Sequence, residues 1–197
     1  MITNITSEKL QKILQIWQGF HWLFFVDVQG LIICLLRFES QLKAGNLGKA
    51  EVELETATKL MLASGAAMEL AGSFSREEYE NQIRPNMEPP NVRSENFSGL
   101  MSWDHALLIK IWKRLSPAFQ QLPVELHAQH EQFVAAYRTL SHSHTAVCAQ
   151  FGGKEKGSLR CNKSSAASRL ETFEQCRLKM LDPNHRLGDA GCSDSST

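Results

Sequence analysis

The residue most able to carry chemistry in this sequence of 197 residues is His144, which stands among regularly spaced apolar residues. Leu140 lies four residues before it, and Val147 and Phe151 lie three and seven residues after it. On a helix these spacings place all four side chains on one face. A histidine on such a face is usually a structural core residue. The functional alternative is an axial haem ligand that binds iron through Nε2 while its Nδ1–H donates to an acceptor.

The remaining histidines give weaker indications. His127 and His130 are three residues apart and share a helix face, which is an acceptable spacing for a metal pair, but a solvated face is the simpler interpretation. His142 is two residues from His144 and points to a different face of the helix. No Glu-x-x-His pair occurs in the sequence, which disfavours a di-iron carboxylate bundle.

Composition restricts the class of protein that positions these histidines. Lys and Arg together number 21, as do Asp and Glu, so the net charge is zero and the basic footprint of a nucleic-acid binder is absent. Zero net charge favours self-association, which predicts a homodimer or homotetramer. The 5 cysteines include no CxxC motif, so we expect a reducing, cytoplasmic location rather than a secreted disulfide scaffold.

Hydrophobic periodicity predicts helices along most of the chain, and no strand pattern stands out. The predicted helices cover 6–18 with Thr6 or Ser7 as N-cap, 20–42, 48–70, a short helix that begins with a capping box at Ser75, 100–115, 124–151 and 166–181. Turns are predicted at 43–47 and between Pro117 and Pro123, and longer loops at 85–99 and 152–165. The sequence therefore predicts an all-α, single-domain helical bundle over 1–181 and a disordered tail over 182–197.

The stretch 19–36 is apolar enough to require a test for a membrane-spanning helix. It contains His21, Asp27 and Gln29, whereas a spanning helix needs about 20 apolar residues with few charges. A helix that is apolar nearly all round also suits the centre of a bundle. We therefore expect a buried core helix and no membrane partner.

Three blocks of sequence, taken in order, resemble the tryptophan 2,3-dioxygenase-like superfamily of haem-dependent aromatic oxygenases, which includes the indoleamine dioxygenases and the pyrrolnitrin-pathway enzyme. The first block comprises WLFFVDVQ (22–29), FE (38–39) and LKAGNLGKA (42–50). The second comprises MELAGSFSREEY (68–79), RP (84–85) and SGLMS (98–102). The third comprises YRTLSHSH (137–144), Val147, FG (151–152), KSSA (163–166) and Leu170. Their common order carries the resemblance, since no block is specific by itself.

The resemblance implies that the chain binds haem b, with His144 as the proximal iron ligand and O₂ as the co-substrate of a small aromatic molecule. Ser164 and Ser165 would belong to the loop that closes over the bound cofactor and substrate. His21 lies about two residues from the family's distal histidine, and His21 or His105 would act as a catalytic residue that orients substrate or oxygen. The expected walls of the substrate pocket are Phe24, Phe25, Ser98, Gly99 and Trp103, with Trp22 beside them.

The sequence also departs from that superfamily. The arginine that clamps the substrate carboxylate falls near Ala106, beside His105, and neither residue reproduces the bidentate contact of an arginine. The sequence RCNKS (160–164) replaces a glycine-threonine-glycine-glycine loop, and the chain before His144 is shorter than in tryptophan dioxygenase. Tryptophan itself is therefore not the expected substrate.

Three functions remain open on the sequence. The first is a haem-dependent oxygenase that acts on an indole or a related aromatic substrate at a histidine-ligated iron. The second is a non-catalytic helical protein, haem-binding or oligomeric, that keeps the fold without the catalytic site. The third is an unrelated helical bundle, for which the three blocks would carry no meaning.

Overall fold

The computed structural model describes residues 2–92, 100, 102–156 and 164–186. Its helices are α1 (Ile2–Lys43), α2 (Leu47–Ala71), α3 (Arg76–Glu78), α4 (Trp103–Gln120), α5 (His127–Gln150) and α6 (Ala166–Leu181). A π-helical segment (Tyr79–Ile83) and two 3₁₀ turns (Arg84–Met87 and Val124–Leu126) add to them. These ranges contain no strand, so the prediction of an all-α bundle is confirmed.

Helix α1 is continuous, which corrects the prediction of two helices on either side of Gly19. A single glycine inside a helix costs only about 1 kcal/mol relative to alanine, and packing readily offsets that cost. The helix already begins at Ile2, so neither Thr6 nor Ser7 caps it, and that prediction is wrong. The unbroken helix lets one element contact α2, α4 and the π-helical segment.

The local stop and start signals of the sequence are confirmed. α1 ends at Lys43 and α2 begins at Leu47, and between them Gly45 adopts a φ of 73°, a conformation that glycine reaches without a steric penalty. Farther on, the Glu78 backbone N–H donates to Ser75 Oγ (3.2 Å), and the Ser75 backbone N–H donates to the Glu78 carboxylate (3.1 Å). This is the predicted capping box, and it starts α3.

The core lies where α1, α2, α4 and α5 pack together. Helices α2 and α5 approach closely at Gly65, where a Cβ atom would lie only 3.6 Å from the Leu140 Cα atom. Gln129 on α5 donates from Nε2 to the Thr58 hydroxyl on α2 at 3.2 Å, which satisfies two buried polar groups. The largest side chains with almost no exposure include Trp112, Phe38, Phe119, Phe133, Leu31 and Met61.

Helix α4 continues to Gln120, past its predicted end at Leu115 and through Pro117. A proline inside a helix removes one N–H donor and clashes with the carbonyl four residues earlier, at a cost of about 3 kcal/mol. The burial of Leu115 and Phe119 on either side of Pro117 offsets that cost. The Gln121 N–H then bonds to the Pro117 carbonyl oxygen at 3.3 Å. The turn that we expected between the two prolines therefore begins later, at Gln121.

Helix α6 occupies the predicted residues, and five residues after it are also described. Asp182 is 2% exposed, and the Asn184 side chain donates to the Gln120 carbonyl oxygen at 2.8 Å. These residues, assigned to the tail by the sequence, pack against the end of α4. The remainder of the predicted tail, 187–197, lies outside the described residues.

By length and composition, the stretch Gln11–Lys43 of α1 could cross a membrane. Of its most apolar segment of 18 residues, 33% is buried against the rest of the protein. Leu31, Leu35 and other residues of one face lie in the core. On the opposite face, Trp22 is 72% and Val26 58% exposed. The expectation of a helix buried nearly all round is therefore wrong, because neighbouring helices cover one side of α1 only.

Candidate functional site

A cavity of about 930 Å³ lies between α1, α2, the segment 79–88, α4, α5 and α6. Sites for small molecules and cofactors commonly enclose roughly 300–1,000 Å³, so this volume suits such a ligand. His21, His105 and His144 line the cavity from three different helices. Much of the remaining wall is apolar or aromatic, and includes Trp17, Phe20, Phe24, Phe25, Ile109, Phe173 and Met180.

His144 faces this cavity from α5, together with Val147 and Phe151, which the helical spacing placed on the same face. Burial, with a smaller contribution from the charge of Arg177, lowers the pKa of His144 to about 4. The imidazole is therefore neutral at pH 7. Neither ring nitrogen has a hydrogen-bond partner in the part of the chain that the structure describes, so the acceptor expected for Nδ1–H is not found there.

His142 differs from His144 although only one residue separates them. Its side chain is 75% exposed, and its Nε2 atom lies 3.7 Å from Glu174 Oε1. The prediction that the two histidines point to different faces is confirmed. His142 is consequently a natural control for any role assigned to His144.

His105 and Arg177 connect α4 and α6 at the cavity. Arg177 Nη2 donates to His105 Nε2 at 2.8 Å. Because a guanidinium group only donates, the His105 ring must be neutral and carry its proton on Nδ1. Burial, and next the charge of Arg177, lower the pKa of His105 to about 4. The side chain of Phe173 adds a second contact, with its ring centroid 5.4 Å from Arg177 Cζ.

His21 is held by its own helix. Its Nδ1 atom lies 3.2 Å from the Trp17 carbonyl oxygen, and the centroids of the two rings are 4.6 Å apart. With Nδ1–H donating to this carbonyl, Nε2 is left as an acceptor. Burial lowers the pKa of His21, so this ring also favours its neutral form.

The sequence reasoning missed two lining residues. Cys148 lies one helical turn after His144 and faces the same cavity, and burial raises the pKa of its thiol, which stays protonated. The four-residue spacing of HTAVC (144–148) was the available signal for it. Arg177 offered no such signal, since 72 residues separate it from His105.

Glycines shape the wall on either side of α5. A Cβ atom on Gly72 would come within 2.5 Å of Val147, and one on Gly153 would collide with the backbone and sulfur of Cys148. The Gly153 N–H donates to the Cys148 carbonyl oxygen at 2.7 Å, and the Gly153 carbonyl accepts from the Ala167 N–H at 3.0 Å. This tight turn brings the start of α6 against the end of α5.

An aromatic pair forms a further part of the wall. Tyr79 and Phe151 stack with ring centroids 4.1 Å apart and an interplanar angle of 7°. Beside them, Arg76 makes a bidentate contact with Glu155 at 2.6 and 3.0 Å, which joins α3 to the turn after α5. These contacts fix the segment after α2 on the cavity.

Several predicted site residues lie elsewhere. Trp103 is 90% exposed and does not line the cavity. Ser165 Oγ accepts from the Ser168 N–H at 3.1 Å and caps α6, and neither it nor Ser164 lines the cavity. Ser98 and Gly99 lie outside the described residues. Of the predicted aromatic walls, Phe24 and Phe25 do line the cavity.

His127 and His130 form no metal pair. His127 Nε2 lies 2.8 Å from the Leu122 carbonyl oxygen, and His130 Nε2 lies 2.7 Å from the Leu181 carbonyl oxygen. His130 is 1% exposed, so the expected solvated face is wrong for this residue. Within the described ranges no group of three or more His, Cys, Asp or Glu side chains could hold a metal ion.

The fold and site thus define an all-helical protein with an aromatic cavity and three neutral histidines. Residues 4–129 match the model of the family SfmD 3-methyl-L-tyrosine peroxygenase. Over 167 residues the chain is 32% identical to a 3-methyl-L-tyrosine peroxygenase of Streptomyces lavendulae. The chain belongs to the SfmD peroxygenase family. No solved structure matches it.

The alignment with the Streptomyces relative covers 85% of this chain but 46% of the relative, so the chain spans less than half of that protein's length. An alignment over 167 of the 197 residues leaves at most 30 residues outside it at either end. It therefore spans residues 31–167, which contain His105, His144 and Cys148. Membership of the SfmD family does not decide whether the three sequence blocks carry the meaning that the resemblance gives them. The wider likeness to the tryptophan dioxygenase-like superfamily stays a prediction.

Proposed function

We propose that the chain is a haem-dependent oxygenase that transfers oxygen to the ring of an aromatic amino acid, with His144 as the iron ligand. Family membership supports an oxygenase, and the activity for which the Streptomyces relative is named supports an aromatic amino acid as substrate. The observation that carries the proposal is His144, a desolvated neutral imidazole that faces a large cavity and has no hydrogen-bond partner in the described chain.

The residues present fit a haem. An iron-binding imidazole must be neutral, and the low pKa of His144 keeps it so. The cluster of protein ligands that a bare metal ion needs is not required, because the porphyrin supplies four nitrogen ligands and the protein one or two. Basic side chains that could pair with the propionates also line the cavity: Arg84, Lys110, Arg169 and Arg177.

A haem held by His144 would supply the iron at which the oxidant is activated. The chain's own residues then bind and orient the substrate. Phe24 and Phe25 offer apolar walls against which an aromatic ring can pack. His21 retains Nε2 as an acceptor for a substrate hydroxyl, and His105 retains Nδ1–H as a donor.

The name of the Streptomyces relative supports a choice of oxidant. The sequence resemblance implied O₂, but the relative is named a peroxygenase, which favours hydrogen peroxide. The overall reaction then balances without a reductant, because one oxygen atom of the peroxide enters a ring C–H bond and the other leaves as water.

The test uses the full chain expressed with a haem precursor. Incubation with 3-methyl-L-tyrosine and isotopically labelled hydrogen peroxide should give a product heavier by one labelled oxygen atom in mass spectrometry. Label that arrives only from dioxygen, in the presence of a reductant, would replace the peroxide by O₂ in the proposal. A haem-loaded chain that oxygenates neither 3-methyl-L-tyrosine, L-tyrosine nor indole with either oxidant would contradict it and support the non-catalytic haem-binding alternative.

The cytoplasmic location and the homodimer or homotetramer also remain proposals that rest on composition alone. Light scattering coupled to size-exclusion chromatography measures the molar mass directly. A mass of one chain would contradict the predicted self-association.

A further inference from the structure

Arg177 lies half-buried on the cavity face of α6, in a fixed orientation. One guanidinium nitrogen donates to His105 Nε2, and the group also lies against the Phe173 ring. The first contact uses one of the five N–H donors of the side chain. The Tyr137 hydroxyl also lies within hydrogen-bonding reach of the guanidinium. The donors that these two groups leave can form the forked, bidentate contact that guanidinium groups make with carboxylates.

Arg177 has no acidic partner within the described part of the chain. No carboxylate oxygen there comes within 4.0 Å of its nitrogen atoms. Other arginines differ: Arg114 lies 2.7 Å from Glu39, and Arg84, which lines the same cavity, lies 3.9 Å from Glu88. A partly desolvated cation without a counter-ion is costly unless a ligand supplies the opposite charge.

The charge of Arg177 acts on neutral groups instead. After burial, it is the next contribution to the low pKa of His105, whose Nε2 accepts from Arg177 at 2.8 Å, and it opposes the effect of burial on Tyr137, whose pKa is raised to about 12. Because the side chains in contact with the guanidinium, His105 and Phe173, are neutral, its positive charge is not paired within the cavity wall, which favours an anion there.

The other basic side chains of the cavity are less suited to hold an anion in a defined place. Lys110 and Arg169 are exposed, and Arg84 has Glu88 nearby. Exposed cations bind anions weakly, because water screens the charge and the long side chain loses entropy when it is fixed.

We propose that Arg177 is the carboxylate-binding residue of the cavity, with His105 as the positioning residue that holds its guanidinium. The inference rests on the proposed function, because an amino-acid substrate brings an α-carboxylate while its ring packs against the aromatic wall. A haem propionate is a second source of the same carboxylate chemistry, and the experiment separates the two.

The experiment compares wild type, Arg177→Gln, Arg177→Lys and the control Lys179→Gln, all as haem-loaded full chains. Lys179 lies two residues away on α6, is exposed and does not line the cavity, so its substitution removes the same charge from the same helix. Calorimetric titration gives the dissociation constants of 3-methyl-L-tyrosine and of the corresponding amine without the carboxylate. A parallel titration gives the affinity of the haem-free chain for haem and for its dimethyl ester.

If the substrate carboxylate binds Arg177, the Gln variant should bind the amino acid at least about tenfold more weakly, as expected for one lost hydrogen bond to a charged group. Its affinity for the amine and for haem should not fall. The Lys variant should show a smaller loss, since an ammonium group keeps the charge but not the fork. The Lys179→Gln control should match wild type.

If a haem propionate binds Arg177, the Gln variant should lose affinity for haem but not for the dimethyl ester, and its ratio of amino-acid to amine affinity should equal that of wild type. An unchanged ratio together with unchanged haem affinity overturns the proposal. A merely structural role would weaken both amine and amino acid alike and would lower the melting temperature, which also overturns it.

Failure of the proposed function is a separate result. If wild type binds no haem at all, the same two small-molecule titrations are made on the haem-free chain. A preference for the amino acid over the amine that Arg177→Gln abolishes still supports the carboxylate site. The absence of such a preference in wild type contradicts it. Should Arg177→Gln not fold, Arg177→Lys takes its place in each comparison.

Discussion

Helix α5 carries two histidines whose pKa values burial lowers, and their surroundings differ. His130, near the N-terminus, is 1% exposed, packs with its ring centroid 4.7 Å from that of Phe119, and bonds to the Leu181 carbonyl oxygen. His144, near the C-terminus, faces a cavity of about 930 Å³ and has no hydrogen-bond partner in the described chain.

The comparison separates a structural histidine from a candidate ligand. Burial alone does not distinguish the two, since it makes both imidazoles neutral. The difference lies at Nε2. His130 Nε2 bonds to the Leu181 carbonyl oxygen and so joins α5 to the end of α6, although His130 Nδ1 has no partner among the described residues. Neither ring nitrogen of His144 has a partner there, as the proposed role of iron ligand requires of one of them. The two ends of α5 should therefore respond differently to the same substitutions.

The largest expected effect on stability comes from the aromatic side chains that pack at the two ends of α5, Phe119 beside His130 and Phe151 on Tyr79. Phe119→Ala should lower the free energy of unfolding by about 3–5 kcal/mol, because Phe119 is fully buried and packs against Phe38, His130 and Phe133. The matched substitution at the cavity end is Phe151→Ala, which removes the stack on Tyr79 and should cost about 1–2 kcal/mol. Urea denaturation measures both, and equal losses would contradict the difference between the two ends.

A smaller effect is expected from the histidines themselves. His130→Ala should cost about 2–4 kcal/mol, since it leaves a cavity beside Phe119 and an unpaired Leu181 carbonyl. His144→Ala removes no internal hydrogen bond within the described chain and should change the stability of the haem-free protein by less than about 1 kcal/mol. Thermal unfolding of the two variants without haem tests this pair. A large loss for His144→Ala would mean that His144 is a structural residue.

The smallest effect is a dependence on pH. Because burial places the pKa of folded His130 below its ordinary value of 6.5, the unfolded state binds the proton more readily. The stability that this histidine contributes is therefore present above the ordinary pKa and is lost as the pH falls below it. Urea denaturation at about pH 7 and about pH 5 should show a drop for wild type and a smaller drop for His130→Ala. His21, His105 and His144 act in the same direction, so the drop should not vanish.

Local signals in the sequence were sufficient for the helix order and for the orientation of His144. Gly45 and the Ser75 capping box act through their own backbone geometry, so they can be recognised without knowledge of the fold. The spacing of His144 from Val147 and Phe151 depends only on helical periodicity. Where a local signal was weak, as at Gly19 and Pro117, tertiary packing decided that the helix continues.

The polar part of the cavity could not be predicted in the same way. The contact between His105 and Arg177 joins two helices that are distant in sequence, and no pattern of residue types encodes it. The resemblance to the tryptophan dioxygenase-like superfamily implied only that an arginine is missing near Ala106. The packing of α6 against α4 brings Arg177 to His105, the residue directly before Ala106. The fold also leaves Trp103 on the surface.

The central proposal is that His144, which has no hydrogen-bond partner among the described residues, binds haem iron, and one measurement tests it most directly. The full chain, His144→Ala and the control His142→Ala are expressed with a haem precursor, and the absorption spectrum and haem content of each are recorded. Wild type and His142→Ala should show a Soret band with about one haem per chain, since haem iron takes an axial histidine, and His144→Ala should lose it. Full haem loading of His144→Ala, or a colourless wild type that refuses added haemin, would contradict the account.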